Sequence, residues 1–317
     1  MSITVGVDLG GTHMQIGVLD EARRIIGRSS GKTHAERGSQ AVLDEVATHI
    51  KSAMHEAGIS KVRAIGLAAP GAVDHEQGIV IDAPNLDWKD LPAAHLLEER
   101  LGAPVLLDND VNAAVYAEQR LGAGRGHDNL LGIWIGTGIG GGLILNGSVY
   151  HGQRQTAGEI GHVIIDPHHP LRRRELEHQC SRTAIARDIA EAISEGQTSS
   201  LQAFAAKGGP IPSSEIATAL SQGDAVTTRV VHEACGKIGS VIGSIVTLLS
   251  LGRVVVGGGL VEDAGLAIVE PIEQAVRAAC WPVSLRDIEI VPTKLGSNAG
   301  LIGAALLAAE RADTGGA

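Results

Sequence analysis

Four apolar runs of strand length in this 317-residue chain each end in glycines or acids. Ile3–Val7 runs into Asp8-Leu9-Gly10-Gly11-Thr12, and Val105–Leu107 into Asp108-Asn109-Asp110. Leu130–Ile135 runs into Gly136-Thr137-Gly138-Ile139-Gly140-Gly141-Gly142, and Arg253–Val256 into Gly257-Gly258-Gly259. Glycine after a strand lets backbone come close to whatever lies beyond it, because no Cβ intervenes. Segments with helical spacing of apolar residues lie between the runs, as in Val42, Val46, Ile50 and Met54.

The order of elements repeats. Strands at Ile3–Val7, Met14–Leu19 and Ile25–Arg28 precede a helix over Ala41–Ala57. A strand at Val62–Leu67, another at Val105–Leu107 and a helix over Asn112–Leu121 complete the first round. The second round has strands at Leu130–Ile135 and Gly142–Leu145, then helices at Thr183–Ser194, Ser213–Ser221 and Ala225–Leu251. Arg253–Val256 is its next strand. A helix over Ala264–Ala279 follows, with Pro271 inside it or between two pieces. Ile288–Val291 is a last strand and Gly300–Ala312 a closing helix, after which Thr314–Ala317 is expected to fray. Two such rounds predict two α/β domains facing a cleft. We place the first at 1–122, completed by the closing helix 300–312, and the second at 123–299.

Aromatic residues make up only 2% of the chain, so its cores must be built from Ala, Val, Ile and Leu. The formal charge of −10 argues against nucleic acid as a partner, which would favour a basic face. Cys180, Cys235 and Cys280 are odd in number, far apart and without a C-x-x-C spacing. They read as core packing in a reducing cytoplasm rather than a disulfide framework. No apolar stretch is long enough for a membrane span, and no signal peptide precedes the first strand.

Each punctuation point carries two readings. Asp8 with Gly10, Gly11 and Thr12 is a phosphate-facing turn with an acid directed toward Mg²⁺, or a plain glycine hairpin. Gly136–Gly142 lacks the lysine of a P-loop, and a strand follows it where a dinucleotide fingerprint needs a helix. It is a second phosphate turn or a flexible hairpin. Gly257-Gly258-Gly259 lies flat against a nucleotide or makes a tight strand-to-helix connection. Asp110 takes a hydroxyl proton or caps the helix that follows it. Glu159 and His162, in Gly158-Glu159-Ile160-Gly161-His162, form a polar wall for hydroxyl groups or a solvated turn. His168, His169, Glu175 and His178 fit no strong zinc spacing. With Arg172-Arg173-Arg174 they read as an exposed basic loop.

With these residues placed, nearly the whole chain resembles the ROK family of sugar kinases and sugar-responsive repressors, within the actin-like ATPase and hexokinase superfamily. Asp8–Thr12 resembles its D-x-G-G-T turn, and Asn109-Asp110 with Asn112-Ala113-Ala114 its catalytic motif. Ala69-Pro70-Gly71 with Asp74, and Pro84-Asn85-Leu86 with Trp88, resemble its sugar-lobe loops. Gly158–His162 resembles G-E-x-G-H, and Leu176-Glu177 with Ser181 its L-E-x-x-x-S segment. Gly257–Gly259 resembles its adenosine motif, and Leu295-Gly296 with Ala299–Ala304 its closing helix.

The resemblance implies two actin-like, ribonuclease H-like α/β domains around a central cleft and an ATP- and Mg²⁺-dependent hexose kinase, with glucose the first-choice acceptor. Asp110 is then the general base, and Asn109, Asp110, Glu159, His162 and Glu177 bind the sugar. Asp8 places Mg²⁺ through water. Gly10, Gly11, Thr12, Gly136, Thr137, Gly138 and Gly140 cradle phosphates, and Gly257, Gly258 and Gly259 lie along adenosine. The expected setting is the cytoplasm and the expected assembly a homodimer, with no nucleic acid and no membrane partner. The family's repressors carry an N-terminal helix-turn-helix, for which a first strand at residue 3 leaves no room. A noncatalytic sugar-binding regulator remains an alternative, as do N-acetylmannosamine, fructose or allose as acceptors.

The chain departs from the family in two places. The family's zinc cysteines fall on His168, Pro170 and Glu175, and its zinc histidine on His162. Proline supplies no side-chain ligand, so no family-type zinc is expected, and nothing evident in the sequence holds the second nitrogen of His162. A substitute site from His162, His168 and Glu175 stays open. His13 stands where lysine commonly follows the first turn, which removes some attraction for phosphate.

Overall fold

The computed structural model describes residues 3–170 and 173–314. Arg172 of the expected basic loop and residues 315–317 of the expected frayed end lie outside this range. The chain divides into two compact units. The first comprises Met1–Arg125, Ser148–Ala157 and Ser297–Ala317, and the second comprises Gly126–Gly147 and Gly158–Gly296.

The sheet of the first unit is built from β1 (Thr4–Leu9), β2 (His13–Leu19), β3 (Ile25–Lys32), β4 (Ala64–Ala69) and β8 (Val105–Asn109), in the order β3-β2-β1-β4-β8. β1 pairs antiparallel with β2 and parallel with β4, which pairs parallel with β8. On one face Val5, Val7 and Leu9 pack with Val42, Leu43, Val46 and Ile50 of α1 (Ser39–Glu56). The other face lacks side chains at its middle. Gly6 stands beside Gly17 on β2 and Gly66 on β4, a row of glycines across three strands.

Helix α11 (Ala299–Thr314) lies directly on that row. A Cβ on Gly6 would come within 1.8 Å of the Leu301 carbonyl oxygen, and one on Gly66 within 1.9 Å of that of Ala304. On the same face α11 also meets α3 (Asp110–Leu121), where a Cβ on Gly303 would come within 1.7 Å of the Ala113 carbonyl oxygen. Ala68, Ala113 and Ala304 fill what remains. A core poor in aromatics is therefore dense because backbone packs on backbone.

A second, three-stranded sheet was not legible in the sequence. It consists of β5 (Ala72–Asp74), β6 (Ile79–Ala83) and β7 (Trp88–Leu91), followed by α2 (Ala93–Leu101). The strands are short, Ala72/Val73 carries a register shift, and Asp87 and Asp90 have positive φ, so no period of two survives. Ser148–Val149 forms the short strand β11 in the 148–157 segment.

The second unit holds β9 (Leu130–Ile135) and β10 (Ile139–Leu145) as an antiparallel pair, with β12 (Arg253–Gly257) parallel to β9 and β13 (Glu289–Pro292) parallel to β12. Around them lie α4 (Leu176–Cys180), α5 (Arg182–Ser194), α6 (Gln202–Ala205), α7 (Ser213–Ser221), α8 (Ala225–Leu249), α9 (Gly259–Ala264) and α10 (Leu266–Ala279). Two expectations need correcting. β10 begins at Ile139 rather than Gly142, so Gly140–Gly142 are strand residues paired with Trp134, Ile133 and Gly132. The expected helix from Ala264 is broken at Gly265 (φ 55), with Pro271 inside α10. Glycine reaches that backbone conformation without strain, whereas Pro271 forfeits one helical hydrogen bond. All three cysteines are buried thiols, and no helix among the described residues is long and apolar enough to cross a membrane.

Candidate active site

Parallel pairing sets Asp8, Ala68 and Asp108 in register, so the ends of β1, β4 and β8 bring Asp8 together with Asn109 and Asp110. Asp8 is half-buried. Burial, and secondarily the charge of Asp110, pushes its carboxyl up to about 7. Gly300 makes the space, since a Cβ there would stand 2.5 Å from Asp8 Oδ2.

The capping role expected of Asp110 belongs to Asn109. Its Oδ1 accepts the N–H groups of Val111 (2.8 Å) and Asn112 (3.1 Å), while its Nδ2 donates to the Gly71 carbonyl at 3.0 Å. Asp110 is the first residue of α3, and its Oδ1 accepts from Val111 N at 2.9 Å, which fixes its rotamer beside the positive end of the helix. These bonds use the Asn109 Oδ1 and one of its two Nδ2 hydrogens.

The Gly10–Thr12 turn is tight. Gly10 N–H donates to His13 O at 2.9 Å, and a Cβ on Gly11 would stand 3.0 Å from that of Asn85. Buried Thr33 braces it, with Oγ1 donating to Gly10 O at 2.6 Å and N–H to Thr12 O at 2.9 Å.

In the second unit Gly158 and Gly161 lie flat on β10. A Cβ on them would meet the carbonyls of Gly141 at 2.7 Å and Ile139 at 2.2 Å. This placement leaves Glu159 and His162 exposed at the edge. Partial desolvation raises the Glu159 carboxyl, with the His162 charge pulling it back. The hydrogen bond from His162 to Glu175 raises the imidazole's pKa, against some desolvation.

Glu177 sits over the glycine loop. Its Oε2 accepts Ile139 N–H at 2.7 Å, and a Cβ on Gly138 would come within 2.2 Å of the same oxygen. Arg182 Nη2 donates to Thr137 Oγ1 at 3.0 Å, Thr183 Oγ1 donates to Thr137 O at 2.8 Å, and Arg182 N–H to Gly136 O at 3.0 Å. Ser181 caps α5 by accepting from Ala184 N. Gly136 itself faces open space. Of the third glycine run, Gly257 makes room for the Trp134 indole and Gly258 (φ 92) for the Ile135 backbone, while Gly259 has only Ser213 Oγ near it, at 3.7 Å.

Sequence reasoning missed the support under Asn109 and Asp110. Buried Asp108 accepts from Asn109 N–H and from Asn112 Nδ2 through Oδ1, and its Oδ2 lies 2.9 Å from His151 Nε2. The His151 ring stacks on His75 at 3.6 Å, and Arg311 donates to the His75 carbonyl at 2.9 Å. Asp108, two residues before the expected base and in an apolar strand, was the available signal.

The family zinc does not fit these residues. Pro170 has no side-chain donor. His162 Nδ1 lies 2.8 Å from Glu175 Oε2, an imidazole–carboxylate hydrogen bond. Glu175 thus holds the nitrogen for which the sequence showed no partner. Among the described residues no three His, Cys, Asp or Glu side chains converge on a metal position.

Asp8 predicts a measurable pH effect. A carboxyl raised to about 7 makes the folded state bind its proton more tightly than the unfolded chain does. Its stability contribution is therefore most favourable below the ordinary carboxylate range, falls as pH rises toward 7 and levels above it. In metal-free protein, Asp8→Asn is expected to remove that loss and stabilise the fold at pH 8 relative to pH 4. The gain is at most about 4 kcal/mol, from ~1.4 kcal/mol per pKa unit. Urea unfolding of both proteins at the two pH values checks this, and equal differences at both would contradict it.

The comparisons with known proteins follow this geometry. The family model described as "ROK family" matches residues 4–311. The glucokinase of Halalkalibacterium halodurans is 33% identical over 314 residues, covering 97% of this chain and 95% of that protein. The crystal structure of a ROK family glucokinase from Streptomyces griseus in complex with glucose and AMPPNP superposes with a TM-score of 0.84. It is 32% identical, covering 97% of this chain and 99% of that one. The ROK hexokinase from Thermus thermophilus gives a TM-score of 0.82 at 33% identity, covering 98% and 99%.

Proposed function

This chain belongs to the ROK family and is a sugar kinase, and we propose that it transfers the γ-phosphoryl group of ATP to O6 of glucose. The observation that carries the reading is the strand end at Asn109-Asp110. Asn109 caps the helix, and Asp110 is left as an oriented carboxylate at its first residue. The glucokinase and hexokinase relatives supply the substrate class.

In this reading Asp110 accepts the proton of the glucose 6-hydroxyl as O6 forms a bond to the γ-phosphorus. The bond from that phosphorus to the bridging oxygen breaks, and ADP leaves. Glu159, His162 and the Oε1 side of Glu177 take other sugar hydroxyls, a set of polar groups that disfavours sugars leaving them unpaired. Asn109 fixes the start of α3 and keeps its second Nδ2 hydrogen for a sugar hydroxyl. Gly11, Thr12, Thr137 and Gly138 offer backbone N–H groups to phosphate, those of Gly10 and Gly136 being spent on His13 O and Gly138 O within the turns, and Gly257–Gly259 lie along adenosine.

Mg²⁺ fits this donor set. Asp8 is a hard oxygen ligand whose charge is disfavoured beside Asp110 until a cation compensates it, and Mg²⁺ commonly takes one or two carboxylates plus substrate phosphates. Asp8 would hold the ion through water, and the ion would supply charge neutralisation at the phosphates. We further propose a cytoplasmic homodimer.

Phosphorus NMR of the product from MgATP and a panel of hexoses tests the assignment. A phosphomonoester on C6 of glucose is expected. Phosphate on another carbon, or turnover confined to another sugar, would contradict it.

A further inference from the structure

The segment from His162 to Leu176 is closed at its base by backbone hydrogen bonds. Ile165 N–H donates to Arg174 O at 2.9 Å and Leu176 N–H to Val163 O at 2.9 Å, around a bridge between Ile164 and Glu175. This pairing sets the Glu175 carboxylate beside the His162 ring, with Oε2 2.8 Å from His162 Nδ1 and 3.5 Å from His178 Nδ1. The outer side of the same segment is stapled down. Gln179 Nε2 donates to Arg173 O at 2.6 Å, Lys237 Nζ to Gln179 Oε1 at 2.7 Å, and Arg173 Nη2 to Glu191 Oε1 at 2.7 Å. The His169 ring turns to Asp166, with Nε2 3.7 Å from Oδ2, and the His168 backbone N–H donates to Asp166 Oδ1 at 3.1 Å. Among the described residues this loop is thus held by hydrogen bonds at its base and along its outer side.

We propose that Glu175 is a positioning residue that fixes the His162 imidazole in place of the family's zinc, so that this loop closes and the sugar site forms without that metal. In the neutral ring a carboxylate on Nδ1 assigns the proton to that nitrogen and leaves Nε2 as a lone pair for a sugar hydroxyl. The His162 side chain is 60% exposed, and the hydrogen bond to Glu175 is the one side-chain bond recorded on its ring among the described residues. Orienting partners behind a working histidine typically matter by ten- to a hundredfold. The kinetic part of the inference rests on the kinase reading above, and the spectroscopic and metal parts do not.

The experiment combines ring-nitrogen NMR of ¹⁵N-histidine-labelled protein with steady-state kinetics. The His162 signals are assigned by their loss in His162→Gln. In the wild type they should report a protonated Nδ1, and in Glu175→Ala they should move toward the tautomer mixture of a free imidazole. The same substitution should raise the KM for glucose about tenfold, with kcat and the KM for ATP within about threefold. Glu175→Gln, whose amide oxygen still accepts, should recover most of that loss. Adding Glu175→Ala to His162→Gln should change nothing further. Protein prepared without added zinc should carry none and keep full turnover. Unmoved His162 signals, additive losses in the double variant, or one zinc per chain would each overturn the proposal. A wild type that phosphorylates no sugar would sink the kinase reading alone, while the ring signals and metal content would still decide the role of Glu175.

Discussion

Asp110→Asn should lower kcat by ~10²–10⁴-fold, the usual size of a general-base contribution, and leave the KM values for glucose and ATP within a few-fold. The geometry makes this a clean substitution. The side-chain oxygen that accepts from Val111 N–H survives in asparagine, and the cap on α3 is provided by Asn109. What is lost is the capacity to take a proton. The change also removes the charge that helps raise Asp8, so the Asp8 carboxyl should move down while remaining lifted by burial. Steady-state kinetics on both proteins reads the result. Turnover within about threefold of wild type would remove Asp110 from the role of base.

Gly303→Val should abolish the fold of the first unit or destabilise it by more than ~4 kcal/mol, beyond the ordinary range for point substitutions. The added atoms would be driven into the Ala113 carbonyl oxygen, which a Cβ alone approaches to 1.7 Å. The obstacle is helix backbone, with no flexible side chain that could swing aside. α11 also rests on Gly6 and Gly66 at backbone contact, which leaves it little room to shift. Gly136→Ala is the control, since a Cβ there meets nothing within 4 Å and stability should hold within about 0.5 kcal/mol. Urea unfolding measures both, and a Gly303→Val protein within 1 kcal/mol of wild type would show that α11 does not lie on this backbone.

The strand ends were legible because their chemistry is local. An apolar run stopped by Asp8-Leu9-Gly10-Gly11 or by Asp108-Asn109-Asp110 can be read without knowing its neighbours, and so can the helical period of α1. The row formed by Gly6, Gly17 and Gly66 could not be read this way. Each is a single glycine in a strand, and only pairing reveals that they share one face and carry a helix. The β5-β6-β7 sheet was hidden by short strands and by positive φ at Asp87 and Asp90, where composition mimics a loop.

Within the site, residue types were legible and their partners were not. Asn109 rather than Asp110 caps the helix because either side chain can serve there, and the choice depends on where β8 ends. Glu177 was visible as part of a motif, but its hold on Ile139 N–H spans 38 positions. Asp108 with His151, and Glu175 with His162, likewise join residues 43 and 13 apart. Such hydrogen bonds follow from tertiary closure and leave no spacing for a sequence to display.

The most direct test of the central claim is glucose-dependent ADP release from MgATP by the purified wild-type chain, with Asp110→Asn beside it. The account expects ADP to appear only when glucose is present, one for each glucose 6-phosphate formed, and the signal to fall ~10²–10⁴-fold in the variant. Glucose that binds without ADP release, or release that Asp110→Asn leaves intact, would contradict it.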